Sequence, residues 1–202
     1  QHKLKPLDKD ICLYCGKPSF LGFTHEGCKR AGGVDGFLSI FFYNPILKKI
    51  WSSVKYRSMK GVAREMFSLI EPSIIFKFQK HRRLVTSSII EPIPLHKKRI
   101  DERGFNQSDF VARFFSEVIK VPIHNSLVRT KPTLPQAQIK EKEKRFSNMR
   151  GAFVTTTSLN IESKQCILVD DIVTTGSTVK EAAKVLKKSG ATHVFVYAVG
   201  HG

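Results

Sequence analysis

Apolar residues occur along the chain in two patterns, short continuous runs and helical spacing, and these alternate from about residue 87 onward. The continuous runs predict buried strands at 37–43, 87–94, 151–155, 167–169 and 193–199. Helical spacing predicts helices that begin near Asn44, near residue 60, after Gln107 and after Thr178. Because strands and helices alternate, we expect an α/β fold in which helices flank a mostly parallel sheet.

The most informative stretch is 167–178, ILVDDIVTTGST, in which a buried strand ends in two adjacent carboxylates, Asp170 and Asp171. A loop of small and hydroxyl residues follows and leads into a helix. In open α/β sheets ligands bind at the carboxyl ends of strands, and such a loop before a helix offers unpaired N–H groups to an anion. The acids would repel a phosphate, so they suit sugar hydroxyls or a hydrated divalent cation beside it. A capped turn without a ligand is the alternative.

This stretch resembles the phosphoribosyl pyrophosphate (PRPP) motif of type I phosphoribosyltransferases, in which two acids precede T-G-x-T or a close variant. The resemblance implies that Asp170 and Asp171 are catalytic residues that bind the ribose hydroxyls, with Mg²⁺ bridging ribose and pyrophosphate. An acid near the ring would stabilise an oxocarbenium-like state. The residues implied to bind PRPP through its 5-phosphate are Val173, Thr174, Thr175, Gly176, Ser177 and Thr178.

The N-terminal segment differs from the rest of the chain in its cysteines. It contains a C-x2-C pair, Cys12 and Cys15, and an H-x2-C pair, His25 and Cys28, which together can form a tetrahedral Cys3His zinc site. A segment this short cannot bury its own core, so a metal would fold it. Reduced, unpaired cysteines are the alternative, and a disulfide is less consistent with the cytoplasm. We therefore divide the chain into a zinc-knuckle segment, 1–32, and a larger domain, 33–202.

Two further basic stretches follow predicted elements. Arg103 and Gly104 stand just before the helix that follows Gln107, so a guanidinium and free N–H groups can face one anion. Residues 127–150 are too polar for a core connection and suit a mobile lid over a phosphorylated ligand. A solvated helix is the alternative there, since Glu141 precedes Arg145 by four residues. The cluster at 77–83, KFQKHRR, is consistent with a solvated surface or a nucleic-acid contact.

The N-terminal knuckle, the segment R-G-F-N-Q at 103–107 and the late D-D-I-x-T-T-G-S-T together resemble the ComF family, phosphoribosyltransferase-like proteins linked to bacterial competence, the uptake of DNA. The resemblance covers nearly the whole chain and implies a pyrophosphate loop at 92–107. It implies further site residues at Lys55, Tyr56, Gln136, Arg145 and Asn148, of which the last three belong to the lid. His25 is the main departure, because such knuckles usually carry four cysteines.

The 202 residues carry a net charge of +17. Such an excess suits an anionic partner, a polyphosphate or nucleic acid, although a basic surface without one is the alternative. No apolar run is long enough to span a membrane, and the polar start lacks an export signal, so we expect a cytoplasmic protein.

Three functions fit these features. The first is transfer of a phosphoribosyl group from PRPP to an unidentified acceptor, which the acid pair and hydroxyl loop favour. The second is a competence protein that acts on or beside incoming single-stranded DNA, which the basic charge favours. The third is a PRPP sensor that regulates a partner. The sequence identifies a donor site and no acceptor site, so it predicts PRPP binding with Mg²⁺ and leaves transfer open.

Overall fold

A parallel β-sheet forms the centre of the protein in the computed structural model, which describes residues 4–7, 9–53, 67–68, 70–134, 139, 141–156 and 161–202. Its strands are β1 Gly36–Phe42, β2 Ser88–Pro92, β5 Gln165–Val173 and β6 His193–His201, all parallel and in the order β1-β6-β5-β2. A parallel bridge between Ile90 and Ile123 extends the sheet beyond β2. Two short strands, β3 Leu127–Arg129 and β4 Phe153–Thr155, form a separate antiparallel pair.

Helices cover both faces of this sheet, as predicted. The helices among the described residues are α1 Pro45–Ser53, α2 Pro72–Leu84, α3 Lys97–Arg103, α4 Gln107–Ile119, α5 Lys142–Met149 and α6 Ser177–Lys188. Alternate residues of β5 enter different apolar clusters: Ile167 and Val169 pack with residues of α1, α2 and α4, whereas Cys166 and Leu168 pack with residues of α6. This alternation is what a strand buried on both faces requires.

Three elements differ from the sequence prediction. The motif strand does not end at the acids, because β5 continues through them to Val173 and pairs with β6 as far as His201. The supposed basic turn before α4 is largely the helix α3, which ends at Gly104 in a left-handed conformation (φ 77°). The basic cluster 77–83 lies on α2, and it is not uniformly solvated, since Phe78 and His81 are buried. The helix predicted near residue 60 lies mostly outside the described residues.

The N-terminal segment packs against the β1 edge of the sheet. Leu7 N–H donates to Ile40 O at 3.0 Å and Phe42 N–H donates to Lys5 O at 2.9 Å, an antiparallel pairing. Two 3-10 turns follow, Phe20–Gly22 and Glu26–Cys28. Leu13 is buried in the same apolar cluster as the residues of α6. The segment therefore shares the core of the larger domain.

Among the described residues, no helix combines the length and the apolar character that crossing a membrane requires.

Candidate functional site

The two acids of the motif lie near the carboxyl end of β5, and each is held by a different helix. Ser108 Oγ at the start of α4 donates to Asp170 Oδ1 at 3.2 Å. Trp51 Nε1 on α1 donates to Asp171 Oδ2 at 2.7 Å, and the backbone N–H of Ile172 donates to Asp171 Oδ1 at 2.7 Å. The two carboxylates are thus fixed side by side at the edge of the sheet where parallel strands place ligands.

The electrostatic environment of this pair disfavours two full negative charges. Burial raises the pKa of Asp170 well above its ordinary value, and repulsion from Asp171 adds to the shift. Hydrogen bonds from the Asp171 N–H and from Ser108 Oγ oppose the rise without cancelling it. A cation at this edge would relieve the repulsion, so the donor set fits a hard divalent ion with oxygen ligands.

The loop after β5 forms a small concave surface at the N-terminus of α6. A depression of about 40 Å³ is lined by Asp170 and by the backbone and side chains of 172–179. Gly176 precedes the first residue of α6 in a left-handed conformation (φ 72°), and it has no side chain with which to cap the helix. The N–H of Ser177 donates to Thr175 Oγ1 at 3.4 Å. The N–H groups that follow it in the first turn remain available to an anion, and the helix dipole adds positive potential. We call residues 174–178 the phosphate loop.

The lid helix α5 contacts the phosphate loop directly. Arg145 Nη1 donates to Thr174 Oγ1 at 3.1 Å, and Arg145 Nε donates to Ile139 O at 2.8 Å. The ion pair on this helix is formed instead by Lys144 and Glu141, at 2.7 Å. The structure thus brings Arg145 next to the predicted phosphate site, and the helical alternative holds for Lys142–Met149, whereas a lid stays a prediction.

A larger cleft of about 250 Å³ opens beside the acids and has charges of both signs on its walls. Asp170 and Asp171 line the cleft together with three arginines, Arg99, Arg103 and Arg129, and with uncharged residues. Burial lowers the pKa of Arg99 and of Arg129, and each shift is increased by repulsion from a neighbouring guanidinium. This concentration of cations creates strong positive potential that an anion such as pyrophosphate would neutralise.

Gln107 presents an unpaired donor within this cleft. Arg103 Nη1 donates to Gln107 Oε1 at 3.3 Å, so the amide nitrogen Nε2 faces away from Arg103. The side chain is 5% exposed, and Nε2 has no hydrogen-bond partner in the described part of the chain. The Nε atom of Arg129 is also buried, and it too has no hydrogen-bond partner among the described residues. Buried unpaired donors are costly in a folded protein, and at a cleft they indicate a ligand that accepts from them.

The other predicted residues are placed as follows. Gly104 is exposed at the end of α3 and its N–H donates to Ile100 O at 2.7 Å, so that N–H is not available to a ligand. Asn148 binds the backbone N–H and C=O of Leu134 and so holds that segment beside the cleft, without reaching the phosphate loop. Lys55, Tyr56 and Gln136 lie outside the described residues.

Several residues that line the cleft or hold its acid pair were absent from the sequence prediction. Arg99, Arg129, Trp51 and Ser108 come from four separate elements. Their only sequence signal was position, because Arg99 lies within the predicted pyrophosphate loop and Arg129 at the start of the predicted lid. Trp51 and Ser108 lay in predicted helices, where the sequence alone did not distinguish them from ordinary core residues and helix-capping residues.

The second candidate site is the cysteine cluster of the N-terminal segment. The ligand atoms of Cys12, Cys15, His25 and Cys28 all lie within 4.8 Å of one another, so the four residues can hold a metal ion. His25 Nδ1 lies 3.4 Å from Cys15 Sγ and its Nε2 lies 3.0 Å from Pro18 O. The Pro18 carbonyl therefore orients the ring with Nδ1 toward the cysteines, as an outer-shell group does for a metal-bound histidine. His25 thus completes the set where a fourth cysteine is missing.

Comparison with known proteins places this architecture in a family. Residues 100–199 match the model of the phosphoribosyl transferase domain. The chain is 31% identical over 202 residues to Competence protein ComFC of Bacillus subtilis, an alignment that covers 93% of this chain and 76% of that protein. The chain belongs to the ComF family.

Two further relatives of this ComF protein have names that refer to competence or to DNA utilization. Competence protein F of Haemophilus influenzae is 29% identical over 194 residues, covering 93% of this chain and 83% of the relative. DNA utilization protein YhgH of Escherichia coli K12 is 28% identical over 201 residues, covering 95% and 84%. The resemblance drawn from the sequence is confirmed, and so is the type I phosphoribosyltransferase-like fold with an N-terminal metal-site candidate.

Proposed function

We propose that this ComF protein binds PRPP together with Mg²⁺ in the cleft between β5, α3 and the phosphate loop, and acts on it as a phosphoribosyltransferase-type protein in competence or DNA utilization. The observation that carries the proposal is the arrangement of charge. An acid pair adjoins an anion-binding helix N-terminus on one side and three guanidiniums on the other. PRPP has the matching order of groups, with ribose hydroxyls between a 5-phosphate and a pyrophosphate.

Each part of the ligand has a proposed partner. The 5-phosphate binds the phosphate loop and Arg145, the ribose hydroxyls bind Asp170 and Asp171, and the pyrophosphate binds the guanidinium group of Arg103. Support for the last assignment includes the neighbouring Arg99 and Arg129, together with the unpaired Gln107 amide. Asp170 and Asp171 would also hold Mg²⁺, which when bound neutralises charge on the pyrophosphate leaving group.

Transfer of the phosphoribosyl group would use these same residues. As the bond from C1 of ribose to pyrophosphate breaks, positive charge develops on the ring, and the adjacent carboxylates stabilise it. The guanidiniums stabilise the negative charge that collects on the departing pyrophosphate. In this proposal the acceptor remains unassigned, and a protein with this site that binds PRPP without transfer would serve as a PRPP sensor.

Calorimetry tests the assignment of the site. Wild-type protein should bind PRPP in the presence of Mg²⁺, and the double variant Asp170→Asn with Asp171→Asn should bind it at least tenfold more weakly. Glu117→Gln, which removes an exposed carboxylate on α4, is the matched control and should bind as wild type does. Equal affinity in wild type and the double variant would remove the site assignment. Release of pyrophosphate, measured with candidate acceptors, then separates an enzyme from a sensor.

The metal at the Cys3His cluster is proposed to be zinc, because three thiolates and an imidazole form one of its structural ligand sets. We also propose that 1–32 acts as a zinc-folded segment attached to the domain 33–202. Metal analysis of purified protein should give about one equivalent of zinc, and Cys28→Ser should lose it. A metal-free preparation in which the segment 1–32 stays ordered would contradict this, whereas the domain 33–202 is expected to stay folded without zinc. Cysteines that serve as thiolate ligands suit a reducing compartment, which supports the proposal of a cytoplasmic protein.

A second function, contact with single-stranded DNA, is favoured by a surface formed by Phe20, Phe76, Lys80 and Arg83. Phe20 is 72% exposed and Phe76 is 58% exposed, which is unusual for large aromatic side chains. Lys80 Nζ lies 5.8 Å from the Phe20 ring centroid, and Phe76, Lys80 and Arg83 follow helical spacing along α2. Exposed aromatic rings beside cations are the features on which single-stranded bases stack.

Fluorescence anisotropy with a labelled oligothymidylate, titrated with salt, tests this surface. The double variant Phe20→Ala with Phe76→Ala should bind about tenfold or more weakly, because one stacked base contributes about 1–3 kcal/mol. Phe42→Ala, which makes the same change at the 49% exposed Phe42 on β1, is the control. If no binding occurs near 50 mM salt, the net charge of +17 has no role in DNA contact.

A further inference from the structure

The metal cluster and the phosphate loop are joined by the two residues between Cys12 and Cys15. Leu13 is 8% exposed and packs against the loop: the position that a Cβ would take on Gly176 lies 3.3 Å from both Leu13 methyl carbons. A Cβ at Gly176 would be closer to Leu13 than an ordinary van der Waals contact, so the leucine side chain would have to shift by a few tenths of an ångström. The left-handed backbone at this position (φ 72°) also favours glycine, so the loop and the knuckle pack closely where the loop has no side chain.

Lys180, in the first turn of α6, connects the same two elements through polar contacts. Its Nζ donates to Leu13 O at 3.4 Å and to Thr175 O at 3.2 Å. The same ammonium group lies 4.7 Å from the centroid of the Tyr14 ring and 5.5 Å from that of Phe146 on α5. One cation thus holds the knuckle, the phosphate loop and the lid helix in a single cluster.

The conformation of the dipeptide depends on the residues that flank it. Leu13 and Tyr14 lie between two metal-ligand candidates, so ligation of Cys12 and Cys15 would fix both ends of the turn. On the far side, the backbone N–H of Val34 donates to Tyr14 Oη at 2.9 Å, which fixes the ring. Without metal, the turn keeps the hydrogen bonds from Cys12 N–H to Lys17 O at 3.0 Å and from Gly16 N–H to Cys12 O at 2.9 Å, but it loses the ligation of the two cysteines that flank the dipeptide.

We propose that the metal-bound knuckle is a structural part of the PRPP site, in which Leu13, Tyr14 and Lys180 are positioning residues for the phosphate loop, so that metal and PRPP bind cooperatively. The inference rests on the proposed function, since it takes the phosphate loop to be where PRPP binds. Its physical basis is that a preorganised loop loses less conformational freedom when the phosphate binds.

Cooperativity of this kind is reciprocal. If zinc raises the affinity for PRPP by some factor, PRPP must raise the affinity for zinc by the same factor. In a protein that stays folded, support for the fold alone would leave both factors at one. The two factors can be measured by independent methods, so their predicted equality can be tested directly.

The first measurement is calorimetric titration of PRPP with Mg²⁺ into zinc-loaded protein and into protein treated with a chelator, with circular dichroism to establish that both are folded. The second is competition for zinc between the protein and a metallochromic chelator, with and without PRPP. We expect zinc to increase PRPP affinity about fivefold or more, and PRPP to increase zinc affinity by the same factor. If the metal-free protein unfolds, zinc and PRPP both bind the folded state and the measured factor includes the free energy of folding, so the comparison of wild type with Leu13→Ala then decides.

A variant separates coupling from metal binding itself. Leu13→Ala keeps all four metal ligands but removes the side chain that touches the loop. It should therefore still bind one equivalent of zinc, whereas the effect of zinc on PRPP affinity and that of PRPP on zinc affinity should both fall toward a factor of one. Leu84→Ala, the same change at the 52% exposed Leu84 on α2, should retain the wild-type factors.

Two negative results have different meanings. If PRPP does not bind to zinc-loaded wild-type protein at all, the proposed function fails. If PRPP binds and neither factor departs from one, or Leu13→Ala retains both factors, the proposed function stands and the coupling is overturned.

Discussion

Arg145 on the lid helix donates a hydrogen bond from Nη1 to Thr174 Oγ1 of the phosphate loop at 3.1 Å. The two residues are 29 positions apart in the sequence and belong to different motifs. In the structure they bring a guanidinium next to the helix N-terminus at which an anion would bind. The predicted lid and the phosphate loop are therefore in contact, and the guanidinium lies beside the loop in the protein without ligand.

Replacing Arg145 by Ala should weaken PRPP binding by about tenfold or more, because a charge-assisted hydrogen bond contributes about 1.5–3 kcal/mol. Stability should change little, since the residue is only half-buried. The affinity of Arg145→Lys for PRPP should lie between that of wild type and that of Arg145→Ala, because lysine keeps the positive charge and lacks the forked geometry of the guanidinium. Calorimetry gives the affinities, and Lys144→Ala, at the exposed neighbour on the same helix, is the control. An unchanged affinity in Arg145→Ala would show that the lid does not hold the phosphate.

Trp51 should report on the acid pair by fluorescence, because it is the one tryptophan in the sequence and its Nε1 donates to Asp171. Binding of PRPP and Mg²⁺ redistributes charge at Asp171 and should change the intensity or the emission maximum. Asp171→Asn should alter the emission of the free protein and reduce the response to ligand. Ribose 5-phosphate without Mg²⁺ should give a smaller response. A signal that is the same in wild type and Asp171→Asn would contradict the contact.

Gln107→Leu should separate stability from ligand affinity. The substitution removes a buried amide whose Nε2 is unpaired, and it also loses the 3.3 Å hydrogen bond from Arg103 Nη1. The two effects oppose each other, so the free energy of unfolding should change by less than about 1 kcal/mol. PRPP affinity should fall about tenfold, because the ligand loses the donor that this amide supplies. Denaturant unfolding and calorimetry on the same preparation give both quantities. Loss of stability without loss of affinity would mean that the amide supports the fold and does not contact the ligand.

The sequence predicted the parts of the fold that depend on local pattern. The strand–acid–loop–helix order of 167–178 is apparent from hydrophobicity and turn residues, and the position of the loop at the N-terminus of α6 is confirmed. The cysteine spacing likewise identified the residues that converge in the metal-site candidate. These features are contiguous, or nearly so, and short-range rules apply to them.

What the sequence did not predict depends on contacts between distant segments. Glu91 stood within a predicted strand with no indication that both its oxygens accept from Ser126, which fastens the start of β3 to β2. His81 lay in a basic cluster, yet it is fully buried with Nδ1 2.8 Å from Tyr197 Oη. Whether such residues are buried depends on which other element packs over them. The periodicity of apolar residues along one segment does not show which element that is.

Asp170 makes both stability and ligand binding dependent on pH. Burial, with repulsion from Asp171, raises its pKa in the folded protein, so the folded state holds this proton more tightly than the unfolded state does. The resulting loss of stability is absent below the pKa of the unfolded chain, grows as pH rises from there, and is complete above the folded pKa. Asp170→Asn should remove this contribution and make the protein more stable than wild type at neutral pH, as measured by thermal unfolding across pH.

Ligand binding should reverse the rise in the pKa of Asp170. A cation bound beside the pair favours the ionised carboxylate, so binding of PRPP with Mg²⁺ should release protons at pH values near or below the raised pKa. Calorimetry in two buffers of different ionisation enthalpy measures the number released. Asp170→Asn should release fewer protons, whereas the exposed-site control Glu117→Gln should match wild type. Net proton uptake by wild-type protein, absent in Asp170→Asn, would mean that this carboxyl binds the ligand in its protonated form, as a hydrogen-bond donor to ribose or phosphate oxygen.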